Sequence, residues 1–565
     1  MKMGISETYR EWIHKNEPSF TEVMIQKELT LSINPKISII VPTFNTPRRI
    51  LIDAIVSVIC QTYSNWELCI ADGASTDKLT IKTIGEYVKK YPEKIKVNYL
   101  SENKGIVGNS NEALKMATGD YITFLDHDDT LAKFALFEIV KVIKDFNNPD
   151  FIYSDEDKIT EDGNIRLEPH LKPGWSPDTL RSYNYICHLS VYKKTLLDKI
   201  GFLREGFEGS QDYDLVLRAT EQANMIVHIS KILYHWRISK NSTAGVQTSK
   251  MYAYDSAKKA LKEHLDRIGR KGEVKDGMFL SSYKIEYEIE NPPLVSIIIP
   301  NHNHKSTLET CINSILTKTK YPNYEIVIVE NSSTDKDIFE YYNKLETENK
   351  NIKVITWNSS NGFNFAAINN YAVDFVNGEY ILFLNNDVEI INNDWLDRMV
   401  EYIVRKDVGI VGAKLYYPDG AIQHVGVMLG MGPVAGHPYC RLPKETLGYM
   451  GRAKLVQNLN CVTGACLITK KSIFKEVGGF DEKFVLAFND VDFCVKVHEH
   501  GYNIVWTPYA ELYHYESKTR GYEDTDEKKA RFWGEVDIFR AKWLNILQKG
   551  DPYFFRKENY VYTKS

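Results

Sequence analysis

Asp126-His-Asp128-Asp129 is the densest group of chemistry-bearing residues in the chain, and it follows directly on the apolar run 121–125. Two carboxylates one residue apart at a strand end can share a divalent cation such as Mg²⁺ or Mn²⁺, because hard cations prefer oxygen ligands. They can also hold the ribose and phosphate oxygens of a nucleotide. A cation there would neutralise the charge that develops on a departing diphosphate. Taken alone, Asp-x-Asp reads as readily as an acidic turn. It does not stand alone, because Asn385-Asn-Asp387 occupies the same place 259 residues later, with one carboxylate fewer.

A second group is Glu208-Gly-Ser-Gln-Asp212-Tyr-Asp214, matched by Asn489-Asp490-Val-Asp492. Both open apolar-periodic segments, 215–219 and 493–497, so the acids sit near a helix N-terminus, where negative charge is favoured. Asp212 and Asp490 are thereby placed to take a proton from an attacking hydroxyl, with simple N-capping as the alternative. The third group is a histidine in each half: His235, 23 residues after Asp212, and His514, 24 residues after Asp490. A histidine recurring at that distance can complete a metal site or touch a diphosphate.

These groups repeat because the segments carrying them repeat. Ile37-Ser-Ile-Ile-Val-Pro-Thr-Phe-Asn45 returns 258 residues later as Val295-Ser-Ile-Ile-Ile-Pro-Asn-His-Asn303. Trp66-Glu-Leu-Cys-Ile-Ala-Asp72 returns as Tyr324-Glu-Ile-Val-Ile-Val-Glu330, and Gly119-Asp-Tyr-Ile-Thr-Phe-Leu-Asp126 returns as Gly378-Glu-Tyr-Ile-Leu-Phe-Leu-Asn385. An offset held over three blocks means a duplicated domain. Within each copy, short β-branched runs (37–41, 68–71, 121–125 in the first) alternate with a helical pattern (50–61), which predicts a parallel sheet covered on both faces. Ligands bind such sheets beyond the carboxyl ends of the strands, where Thr43, Asn45, Asp72 and Asp126 fall. Between the copies, 251–269 reads as a charged amphipathic helix and 283–289 as a strand, ending at Asn291-Pro-Pro293, which stops regular structure. The expected organisation is an N-terminal extension (1–35), a first domain (36–245), a linker (246–292), a second domain (293–547) and a C-terminal tail (548–565).

Bulk properties exclude other classes. With 70 basic and 75 acidic side chains the net charge is −5, which leaves no nucleic-acid footprint. No apolar run is long enough for a spanning helix, and 1–35 reads as neither signal peptide nor anchor. Eight cysteines, several inside apolar runs, read as reduced packing residues of a cytoplasmic protein. Cys461 and Cys466 are too few and wrongly spaced for zinc. No Gly-x-Gly-x-x-Gly follows a strand, so a dinucleotide is not indicated.

The ordered set Pro42-Thr-Phe-Asn45, Asp72-Gly-Ala-Ser-Thr-Asp77, Asn103-Lys-Gly105, Asp126-His-Asp128, Gln211-Asp-Tyr-Asp-Leu215 and Tyr234-His-Trp-Arg237 resembles the bacterial family 2 glycosyltransferases. Lys172-Pro-Gly-Trp175-Ser-Pro-Asp178 is similar to a subgroup that builds O-antigen, capsule or rhamnose-containing polysaccharides. In the second copy, Asn361-Gly-Phe-Asn364, Asn385-Asn-Asp387, Gly478-Gly-Phe-Asp-Glu482 and the run from His514 to Gly521 resemble its rhamnosyltransferase-like branch. The resemblance implies an α/β chain of two tandem GT-A domains, the Rossmann-like nucleotide-diphospho-sugar transferase fold.

It further implies that Asp72 and Glu330 hold a pyrimidine base, with Pro42, Thr43, Asn45, Asn103, Gly105, Asp126, Pro300, Asn303, Asn361, Gly362 and Asn385 around a UDP- or dTDP-linked sugar. Asp126, Asp128 and His235 in the first copy, and Asp387 and His514 in the second, would hold Mn²⁺ or Mg²⁺. Asp212 and Asp490 would be the bases of an inverting transfer, and Trp175, Glu208, Asp214, Glu482 and Asp492 would line the acceptor. The acceptor would be a glycan, expected to be lipid-linked, and contact with the inner membrane face would rest on local surface such as 258–271 or the tail.

Asn301-His302, Asn385 and Asn489 depart from the family pattern and keep open a second domain used for acceptor binding or assembly. The metal acid and the base lie 84 residues apart in the first copy and 103 in the second, so the second acceptor region is larger. A sugar nucleotidyltransferase would need a Gly-rich loop with a basic residue after the first strand, and Pro42-Thr-Phe-Asn45 does not supply one.

Overall fold

A computed structural model describes residues 7–29, 31–238, 247–358, 363–516, 525–554 and 560–563. The chain divides into two compact units: Met1–Trp175, Asn184–Arg270 and Arg556–Ser565 form the first, and Ser176–Tyr183 with Lys271–Phe555 form the second.

Among the described residues each unit is built on a ten-stranded mixed sheet, and seven of the strands follow the same order in both. In the first it runs Ile95–Tyr99, Trp66–Asp72, Ile37–Thr43, Tyr121–Phe124, Ser190–Lys193, Phe151–Ile159, Met225–Arg237. In the second it runs Ile352–Trp357, Tyr324–Asn331, Val295–Asn301, Tyr380–Leu384, Cys466–Lys470, Val408–Tyr416, Asn503–His514. Register is shared too. Ile37 pairs with Trp66 and Tyr121, and Val295 pairs with Tyr324 and Tyr380. The apolar runs are parallel neighbours as expected, and every residue of Ile37–Thr43 and Trp66–Asp72 is buried because helices cover both faces.

The amino ends of these strands carry a polar clasp. Ser38 Oγ donates to Glu67 Oε1 at 2.7 Å and accepts the Gly119 N–H at 2.9 Å. Ser296, Glu325 and Gly378 repeat this at 2.6 and 2.9 Å. A Cβ on Gly119 would lie 2.6 Å from Ser38 Oγ, and one on Gly378 2.6 Å from Ser296 Oγ, so both glycines are set by close approach.

The segment between the copies separates. The helix Gln247–Arg267 belongs to the first unit, where Tyr254, Leu261 and Leu265 are buried, and the hairpin Gly272–Asp276/Tyr283–Tyr287 belongs to the second. Within the second unit, Asp178 of Ser176–Tyr183 is buried and accepts from Arg405 Nη2 at 3.2 Å and Asn458 Nδ2 at 3.0 Å. The helix Asp526–Lys549 packs through Val536 and Phe539, and Tyr560–Thr563 pairs with Met225–Arg237 at the edge of the first sheet. The tail is therefore engaged on both sides of 555–559.

Candidate functional site

At the carboxyl ends of the first three parallel strands, a loop latch is built twice. Asn45 N–H donates to Ser75 Oγ at 2.8 Å, and its Oδ1 accepts the N–H groups of Thr76 and Asp77 at 2.8 and 2.9 Å. Asn303 does the same with Ser333, Thr334 and Asp335, at 2.8, 2.7 and 3.1 Å. Both asparagines adopt positive φ, 48° and 50°, which this residue type tolerates. The latch brings Ser75 onto Asp72 and Ser333 onto Glu330, and both acids are buried. Pro42 and Pro300 are the penultimate residues of the adjoining strands, opposite Ala71 and Val329. Thr43 is buried with no hydrogen-bond partner at its hydroxyl among the described residues. Asn103 Oδ1 accepts from Gly105 N and Asn109 Nδ2 at 3.0 and 2.9 Å, fixing the third loop. Asn361 and Gly362 lie outside the described residues.

The acid turn of the first unit is organised by its last member. Asp129, fully buried, accepts Tyr234 OH at 2.5 Å and Arg237 N–H at 2.7 Å. Burial, then the charges of Asp126 and Asp128, push its carboxyl well above the usual range. Burial likewise raises Asp128, with His127 opposing. Asp126, Asp129 and His188 bring one ligand atom each within 4.8 Å of one another. Three carboxylates in four residues, with an imidazole beside them, are a donor set that fits a hard divalent cation. Asp212 opens the helix Gln211–Gln222, accepts Asn184 Nδ2 at 3.0 Å, and is pushed up by burial, with His188 opposing and Asp126 adding. The turn and His188 therefore both act electrostatically on the expected base.

His188 was not among the expected ligands, and His235 does not take that place. His235 pairs across the strands with Thr130 and Asp157, and its Nδ1 lies 2.5 Å from Asp157 Oδ1. In the second unit it is Val388 that pairs with His514, so by register His514 matches Trp236, not His235. The difference between 23 and 24 residues is a one-residue slip, which turns a strand side chain to the other face. Trp236 lies beside His188, ring centroids 5.9 Å apart. No repeat signal could have found His188, because the residue in register with it is Ala465.

In the second unit, His514 Nε2 lies 3.2 Å from Asp387 Oδ1 and 3.1 Å from Asn385 Nδ2, while Nδ1 meets Gln423 Oε1 at 2.7 Å. Gln423 accepts the Nδ1 proton and leaves the Nε2 lone pair toward the acid, the orientation a metal-binding imidazole needs. Asp490 accepts Gly464 N–H at 2.8 Å at the start of the helix Asn489–Glu499. That loop is tied down by Glu535, which accepts the N–H groups of Val485, Leu486 and Ala487 at 3.1, 3.3 and 2.6 Å.

Two expected acceptor residues are structural instead. Asp214 is fully buried and binds Arg204 and, one turn on, Arg218 Nε at 2.9 Å. Asp492 is fully buried against Trp543 Nε1 and Lys542 Nζ, each at 2.8 Å. Helical spacing turns these second acids inward, away from the first of each pair. Trp175 is buried, and Glu208 and Glu482 are exposed, accepting from Gly206 N and Asn370 Nδ2 at 3.1 Å each.

The family model for Glycosyl transferase family 2 matches residues 38–201 and again 296–478. An uncharacterized protein of Sinorhizobium fredii is 45% identical over 517 residues, covering 91% of this chain and 56% of that one. The O-antigen biosynthesis protein RfbC of Myxococcus xanthus is 34% identical over 547 residues, covering 97% and 42%. The chain thus spans about half the length of these curated relatives. The structure of S. aureus TarS 1–349 with UDP-GlcNAc aligns at 22% identity over 41% of this chain and 67% of that one, with a TM-score of 0.34, too low to carry weight. Among the described residues no helix is long and apolar enough to cross a membrane. Matched twice, over the two segments that build the parallel strands and acid turns of the two units, the chain belongs to glycosyltransferase family 2 and is a glycosyltransferase of the GT-A type.

Proposed function

We propose that the chain adds two sugars to a growing bacterial surface glycan, one inverting transfer in each unit, from UDP- or dTDP-linked donors. The observation that carries this reading is the recurrence, in one strand order and register, of an acid turn and a helix-opening aspartate in both sheets. Asp72 and Glu330, behind their asparagine latches, face the base of the nucleotide. Asp212 and Asp490 take the proton of the acceptor hydroxyl as it attacks the anomeric carbon in line. Burial raises Asp212 and so makes it a stronger base than a solvated carboxylate. Asp126, Asp128 and Asp129 with His188, and Asp387 with His514, would hold Mn²⁺ or Mg²⁺, which when bound stabilises charge on the departing diphosphate. The relative named for O-antigen biosynthesis supports a surface-glycan acceptor; a lipid-linked acceptor met at the inner membrane face is part of the same proposal. The family resemblance of the second copy favours rhamnose as its sugar.

A second reading, one active unit and one acceptor-binding unit, is favoured by Asn385 and by the three-ligand group, which among the described residues occurs in the first unit alone. A transfer screen with UDP-, dTDP- and GDP-sugars on the wild type, Asp212→Asn and Asp490→Asn separates them. Loss of a different donor or step in each variant supports two sites. Unchanged activity in Asp490→Asn supports the second reading.

A further inference from the structure

The segment that delivers His188 is held from behind by a buried ion pair that the mechanism does not use. Lys172 and Glu156 are 4% and 6% exposed, and Lys172 Nζ lies 3.2 Å from Glu156 Oε2. The same Glu156 oxygen accepts the His188 backbone N–H at 3.2 Å. Lys172 Nζ donates to the Ile186 carbonyl at 2.6 Å and, in a still closer contact, to the His188 carbonyl. All three ammonium protons are thus spent on Glu156 and on the two carbonyls that flank Cys187.

Cys187 needs that grip. Its φ is 31°, a left-handed conformation that a side-chain-bearing residue holds only where its surroundings enforce it. On the other side, the His188 ring stacks on Tyr234 at 4.6 Å, and the Tyr234 hydroxyl is fixed by Asp129 at 2.5 Å. Backbone and ring are therefore clamped independently. A buried ion pair is a weak source of net stability, because desolvation offsets its attraction. It can, however, fix a geometry.

We propose that Lys172 and Glu156 are positioning residues that hold the 186–188 backbone so that the His188 imidazole meets Asp126 and Asp129 at the cation site of the first unit. The inference rests on the reading that this unit holds a divalent cation. It is tested by Mn²⁺ titration of the full-length protein, free Mn²⁺ being read by electron paramagnetic resonance, with Asp387→Asn present throughout to silence the second unit.

His188→Ala is expected to weaken Mn²⁺ binding by at least about tenfold, and Lys172→Met by roughly 10–100-fold. In the His188→Ala background Lys172→Met should add less than about twofold, since both act through one ligand. A purely structural lysine would weaken binding equally in both backgrounds, or in neither, and either result overturns the proposal. If the Asp387→Asn protein binds no Mn²⁺ at all, the cation reading itself falls; if it binds Mn²⁺ and His188→Ala leaves that binding unchanged, His188 is not a ligand and this inference alone falls. Should Lys172→Met fail to fold by circular dichroism, Glu156→Gln is held to the same criteria.

Discussion

Asp157 and His235 face each other on neighbouring parallel strands, Oδ1 to Nδ1 2.5 Å, and Asp157 also receives Arg166 Nε at 2.5 Å and Tyr9 OH at 2.7 Å. His235 is thus committed to a buried polar cluster. His235→Ala is expected to leave the Mn²⁺ affinity of the first unit within about twofold while lowering stability by ~1–3 kcal/mol, the cost of stranding a buried acceptor. Equal loss of metal affinity in His235→Ala and His188→Ala would return His235 to the cation site.

Glu67 links Ser38, Lys36, Lys96 and the Thr118 N–H at the amino ends of the strands. Burial works to raise its carboxyl, but the bonds from Lys36 and Lys96, with Thr118 and Ser38, bring it down to about 2. The folded value lies below the unfolded one of about 4.3, so the stabilisation is full above that value and is lost as pH falls from roughly 4 to 2. Glu67→Gln should lower neutral-pH stability by ~2–3 kcal/mol and flatten the acid limb of a melting-temperature profile. Superimposable profiles for wild type and variant would mean that the carboxylate does not hold the clasp.

Arg405 neutralises Asp178 inside the second unit, where Asp178 also receives Arg181 Nη1 at 3.1 Å. Arg405→Met leaves a buried charge under-compensated and is expected to cost ~3–5 kcal/mol by urea unfolding. Adding Asp178→Asn should recover part of that loss. Strict additivity of the two would show that they act separately.

Glu535 gathers three successive amides just before Asn489 and Asp490. Glu535→Ala should depress the transfer that depends on Asp490 by on the order of 10–100-fold, through misplacement of that base, and spare the transfer that depends on Asp212. Equal depression of both transfers would instead indicate general destabilisation.

The parallel strands, the acid turns and the helix-opening aspartates were legible because they repeat, and a repeat reports what both copies retain. What did not repeat stayed hidden. His188 arrives in the bend two residues before the antiparallel strand Ser190–Lys193 and is matched by Ala465, so neither spacing nor recurrence marks it. His235 misled because spacings of 23 and 24 residues look equivalent along the sequence, whereas a pleated strand answers the one-residue slip by changing faces. Asp214 and Asp492 looked like partners of Asp212 and Asp490, yet two residues along a helix is more than half a turn. Asp214 pairs with Arg218 one turn along its own helix, while its other partner Arg204, and Lys542 at Asp492, come from segments that no motif connects to them.

The Ser38–Glu67–Gly119 clasp and its twin at Ser296, Glu325 and Gly378 sit at the opposite ends of the strands from Asp72, Asp126, Glu330 and Asp387. Each strand is pinned at its root and left open to change at its tip. Residues at the tips can then be exchanged, Asp for Asn at 385 or Thr for Asn at 301, without loosening the sheet that carries them. A duplicated chain with this layout can specialise one of its copies and keep the foundation of both.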